Sequence, residues 1–112
     1  MKTNPHTAFA FFKNGTGDGD SASFAVKNFH SAQVTGANEV SIYFGRGSAL
    51  DVAMATNNDV VAVNTAAGES GNVIELIVAA FRSERGSFTV FNESTLEGLK
   101  GIESIESITF HA

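Results

Sequence analysis

Asn72-Val73-Ile74-Glu75-Leu76-Ile77-Val78-Ala79-Ala80-Phe81-Arg82-Ser83-Glu84-Arg85 is the one stretch of the chain whose hydrophobic spacing is clearly helical. Val73, Leu76, Ile77, Ala80 and Phe81 recur at steps of three and four and form one apolar stripe, and Ile74 and Val78 widen it. Asn72 is placed as N-cap, with Glu75 three residues on to complete a capping box, and Ser70 is the alternative cap. Arg82 and Arg85 suit the negative end of the helix dipole, and Gly86 suits the stop. A helix this apolar needs cover on more than one side, because leaving Val78 exposed would forfeit about 2 kcal/mol.

Outward from the helix, the chain alternates or breaks on Gly and Asn. His6 to Lys13 and Ser21 to Phe29 predict a hairpin around the Gly- and Asp-rich loop 14–20, with Phe9 and Phe11 facing Phe24 and Val26. Gln33 to Glu39 reads as a connection. Val40, Ile42 and Phe44 then share one face of a strand, and Leu50, Val52 and Met54 offer its hairpin partner beyond Gly45-Arg46-Gly47-Ser48. Val60-Val61-Ala62-Val63 suits a strand buried on both faces. After the helix, Ser87 to Asn92 predicts a strand with Phe88 and Val90 on one side and Phe91 on the other. Ser94-Thr95-Leu96-Glu97 has the spacing for a single helical turn. Ile105 to Phe110 closes the chain with Ile108 and Phe110 inward. The echo Ile102-Glu103-Ser104, Ile105-Glu106-Ser107 is too brief for an architectural repeat, which needs periods of tens of residues. The fold class is therefore α+β: a mostly antiparallel sheet of about seven short strands, with one amphipathic helix over about 72–85 packed on it.

The 112 residues fit one domain, 1–112. With only 17% charged residues against 43% hydrophobic ones, the surface has little polar coverage to spare, which favours self-association. Ten Phe with one Tyr and no Trp supply apolar area without polar tips, suited to a core or to a hydrophobic subunit contact. The absence of cysteine removes disulfides, thiolate metal sites and a thiol nucleophile. A net charge of −5 argues against nucleic-acid partners, which need a basic face. The run Ala8 to Phe12 is too short for a signal-peptide core or a membrane span, so no membrane association is expected.

No catalytic, cofactor-binding or metal-ligating residue is assigned. Asn14, Thr16, Asp18 and Asp20 have the oxygen-rich look of a calcium loop. However, the twelfth position counted from Asp18 is Phe29 instead of a bidentate Glu, and the flanks read as strands. The glycines of that loop precede no helix and no Lys-Ser/Thr pair, so they make no phosphate cradle. His6, His30 and His111 stand alone in sequence, and only strand pairing could bring two together. Ser48 and Ser70 lack the spacing of a nucleophile elbow, and Glu103 and Glu106 read as a solvated face.

The order Ala8-Phe9-Ala10-Phe11-Phe12-Lys13, a Gly/Asp loop, then Ser23-Phe24-Ala25-Val26-Lys27-Asn28-Phe29 resembles the start of small virion proteins from tailed phages of aquatic bacteria. The later order is similar too: the apolar helix Val73 to Phe81, the strand Phe88 to Phe91, and the Ser/Ile-rich strand Ile105 to Phe110. The resemblance implies a noncatalytic virion component, such as a capsid decoration or head accessory protein. It would be homo-oligomeric, with capsid or other virion proteins as partners. Outside a phage, a cytoplasmic protein is expected. The alternative is a small-ligand or glycan-binding module in which the helix covers the sheet and the loops frame a pocket.

Overall fold

A computed structural model describes residues 8–13, 21–45, 59–82 and 86–109. Among them, one four-stranded sheet runs β2 (Ala22–Ala25), β1 (Phe9–Lys13), β6 (Phe88–Asn92), β7 (Glu97–Gly98). The other runs β3 (Phe29–Gly36), β4 (Glu39–Phe44), β5 (Asp59–Thr65), β8 (Ile102–Thr109). Every pairing is antiparallel except that of β1 with β6. One helix, α1 (Ser70–Arg82), connects β5 to β6 and packs on β3 and β4. The expected class, α+β with mostly antiparallel pairing and one packed helix, is the class observed. The strands divide between two sheets because the run Ser21 to Phe29 does not stay in one. It leaves the first sheet after Ala25, turns through a 3-10 segment at Val26–Asn28, and enters the second at Phe29. The Val26 N–H donates to Ala8 O at 3.0 Å, which pins this corner.

Among the described residues, six phenylalanines join the layers. Phe24 of the first sheet stacks on Phe44 of the second at 4.3 Å and 7°. Phe29 stacks on Phe81 of α1 at 4.5 Å, and Phe81 meets Phe88 edge-on at 5.3 Å. Phe12 approaches both Phe24 and Phe44 edge-on. Such geometries contribute roughly 0.5–1.5 kcal/mol per pair beyond area burial. They explain why the chain is rich in Phe: an unhindered ring can face two sheets and a helix at once without a polar tip to satisfy.

Several local expectations change. In β1 the inward residues are Ala10 and Phe12, with Ala8 buried just before the strand, and not Phe9 and Phe11, because Ala10 lies opposite Phe24 in the register. Gln33 to Glu39 is mostly strand: β3 runs to Gly36 and leaves a two-residue turn, Ala37-Asn38. The hairpin partner Leu50 to Met54 lies outside the described residues. The helix starts earlier than Asn72. Val73 N–H donates to Glu69 O, Ser70 Oγ and Thr65 Oγ1 lie 2.9 Å apart, and Asn72 Nδ2 donates to Glu69 Oε1 from within the first turn. Residues 83–85 lie outside the described set. Val73, Ile77, Ala80 and Phe81 are buried as expected, whereas Leu76 is partly exposed and Val78 half-buried. In β6, Phe88, Val90 and Phe91 are all buried, because the register skips Val90 between Thr89 and Phe91.

The Ile-Glu-Ser echo, set aside as a repeat, sets the register of β8. The strand begins at Ile102, not Ile105, and Phe110 is outside the described residues. Ile102, Ile105 and Ile108 lie opposite Thr65, Val63 and Val61, while the register skips Glu103 and Glu106. A period of three cannot place isoleucines on one face of a regular strand, whose period is two. Two β-bulges absorb the extra residues. Asn64 Nδ2 donates to Ser104 Oγ at 2.8 Å and to Glu106 Oε1 at 3.0 Å, and Ile105 N–H donates to Glu93 Oε2 of the first sheet's hairpin at 2.7 Å.

Candidate interaction surface

The outward face of the first sheet is set by the pleat. With Ala8, Ala10 and Phe12 committed to the core, Phe9 and Phe11 must point the other way, and they are 43% and 44% exposed. Phe9 lies opposite Ala25, and Phe11 lies between Ser23 on β2 and Thr89 on β6. Small neighbours leave both rings standing above the sheet. At the Lys13 end of this sheet lies an open groove of about 530 Å³, lined by Phe11, Lys13, Ser21, Ser23, Thr89 and Asn92, among others.

Next to it, the turn from β6 to β7 presents a second apolar feature. Asn92 Oδ1 accepts from Ser94 N–H at 3.0 Å and from Ser94 Oγ at 2.7 Å, and Leu96 N–H closes one helical turn onto Asn92 O at 2.7 Å. The turn expected from Ser94 to Glu97 thus forms with its cap two residues earlier, at Asn92 instead of Ser94. Leu96 ends it at φ 59°, a left-handed conformation rare for branched side chains, and is 71% exposed. The chain then passes through Gly98. A Cβ there would collide with Val90 O and come within 2.7 Å of Phe91 Cα, so only glycine lets β7 lie this close to β6.

Among the described residues, the sequence candidates do not converge. His30 is exposed on β3 with Nδ1 3.0 Å from Ser31 Oγ; His6, His111, Ser48 and the loop 14–20 lie outside the described residues. Ser70 opens α1, and Glu106 supports the bulged β8. Among the described residues, no three His, Asp or Glu side chains group as a metal site, and no helix is long and apolar enough to cross a membrane. Tyr43, the only tyrosine, is 4% exposed and donates to Gln33 Oε1 at 3.4 Å, so it presents no open ring for a sugar to stack on. Sequence reasoning missed the exposed Phe pair because alternation fixes which residues share a face but not which face is inward. It missed Leu96 because a lone Leu carries no spacing signal. No family model, curated protein or solved structure matches the chain.

Proposed function

We propose that the chain is a noncatalytic structural protein that self-associates through the outward face of its first sheet, in the manner of a virion component such as a capsid decoration or head accessory protein. The observation that carries this reading is the exposed pair Phe9 and Phe11 on a strand whose other face is fully committed to the core. Covering both rings would recover roughly 3 kcal/mol per copy at about 25 cal/mol per Å². Association through a face also suits the edges. β3 and β8, the outer strands of the second sheet, both carry register shifts that disfavour addition of a further strand. The low charge fraction and the phage-like order of elements point the same way.

Size-exclusion chromatography with light scattering tests the proposal. The wild-type chain is expected to form a defined oligomer, with a trimer or pentamer matching capsid symmetry. Phe9→Ser/Phe11→Ser is expected to be a folded monomer that unfolds cooperatively, with a melting temperature that no longer depends on protein concentration. A wild-type chain that stays monomeric at high concentration and does not bind purified phage heads overturns the reading.

A further inference from the structure

We infer that Leu96 of one copy seats in the groove beside Phe11 of a second copy, making a knob-and-hole contact between identical chains. The inference rests on the self-association reading and names the contact that accomplishes it. Two phenylalanine rings alone recover too little to offset the cost of immobilising two molecules, so an oligomer needs a further anchor. Leu96 has the properties of one. It combines a backbone conformation that disfavours its side chain with 71% exposure of an apolar group, and neither feature helps the isolated chain. The tight turn that holds it, closed by Asn92 and followed by Gly98, keeps the side chain in place before contact.

The hole lies on the same sheet. Asn92 lines the groove, its carbonyl accepts the Leu96 N–H and it pairs with Glu97, so the turn that carries the knob adjoins a strand that lines the groove. Its volume of about 530 Å³ exceeds what a single leucine fills, leaving room for the adjoining Thr95. The charges match as well. Lys13 is the charged residue among the described residues lining the groove, and exposed Glu97 directly follows Leu96, so seating the knob brings a carboxylate toward an ammonium group. A second copy meets all of these features, and its own groove remains available for a further contact.

Sedimentation velocity on two variants and their mixture tests the contact. Leu96→Gly removes the knob at a position where glycine is conformationally at ease, and Thr89→Trp fills the groove from an exposed strand position. Each alone is expected to weaken association at least tenfold while melting as a folded protein. Mixed one to one, they are expected to form a mixed complex, because one supplies the hole and the other the knob. Wild-type oligomers that persist in Leu96→Gly, or singly weakened variants whose mixture fails to associate, overturn the knob-and-hole contact and leave self-association standing. A wild-type monomer removes both. Leu96→Asn, which also tolerates the left-handed backbone, must behave like Leu96→Gly for the loss to belong to the side chain.

Discussion

Leu96 occupies a position, φ 59° at the end of a single helical turn, where glycine or asparagine is the usual occupant. A non-glycine residue in this region costs roughly 1–2 kcal/mol, and glycine returns part of that gain through its more flexible unfolded chain. Leu96→Gly is therefore expected to raise the stability of the dilute monomer by up to about 1 kcal/mol, read as a higher urea midpoint at unchanged slope. The same substitution is expected to weaken the oligomer, and opposite signs in the two measurements would separate a contact residue from a structural one. Gly98 stands two residues away with the reverse character, since its backbone meets Phe91 too closely for any side chain. One turn thus holds a residue that packing dictates and one that packing does not explain.

Within elements, β8 shows how a three-residue period becomes a strand. The bulges at Glu103 and Glu106 keep Ile102 and Ile105 buried and Ile108 half-buried on one face of the sheet, opposite alternate residues of β5. Deleting Glu106 leaves Ile105-Ser107-Ile108, which alternates regularly, so the deletion is expected to retain far-UV circular dichroism and cooperative unfolding. It should cost about 1 kcal/mol for the lost hydrogen bond from Asn64, and the flatter edge should aggregate faster on concentration. Deleting Ser41 from β4 should instead abolish folding. It would move one side of a Val40-Ile42-Phe44 face, buried throughout, out of register. A comparison of the two deletions by circular dichroism checks this. The helix is a milder case: its apolar stripe was legible from spacing, but its start was not. The bonds that set the start come from Thr65 and Glu69, outside the periodic segment.

At the scale of the whole molecule, two sheets and a helix share one aromatic core, and Phe44 touches rings from each of them: Phe12 and Phe24, Phe29, and Phe81. Phe44→Ala is expected to cost about 3–5 kcal/mol in a single cooperative transition seen equally by fluorescence and circular dichroism. Two separate transitions would show that the sheets unfold independently. Phe9→Ser should lower monomer stability by about 1–2 kcal/mol, less than Phe44→Ala, since the residue lies outside this core yet is more than half covered. The sequence by itself determined the class, the apolar stripe of the helix α1, the alternation of β4 and the dominance of phenylalanine, because each follows from local period or composition. Tertiary structure alone decided that the strands split into two sheets, that Phe9 and Phe11 turn outward, and that the Ile-Glu-Ser echo becomes two bulges. The physical reason is that a period names the residues sharing a face, whereas only the partner strand and the opposing layer settle which face is buried and which residues the ladder leaves unpaired.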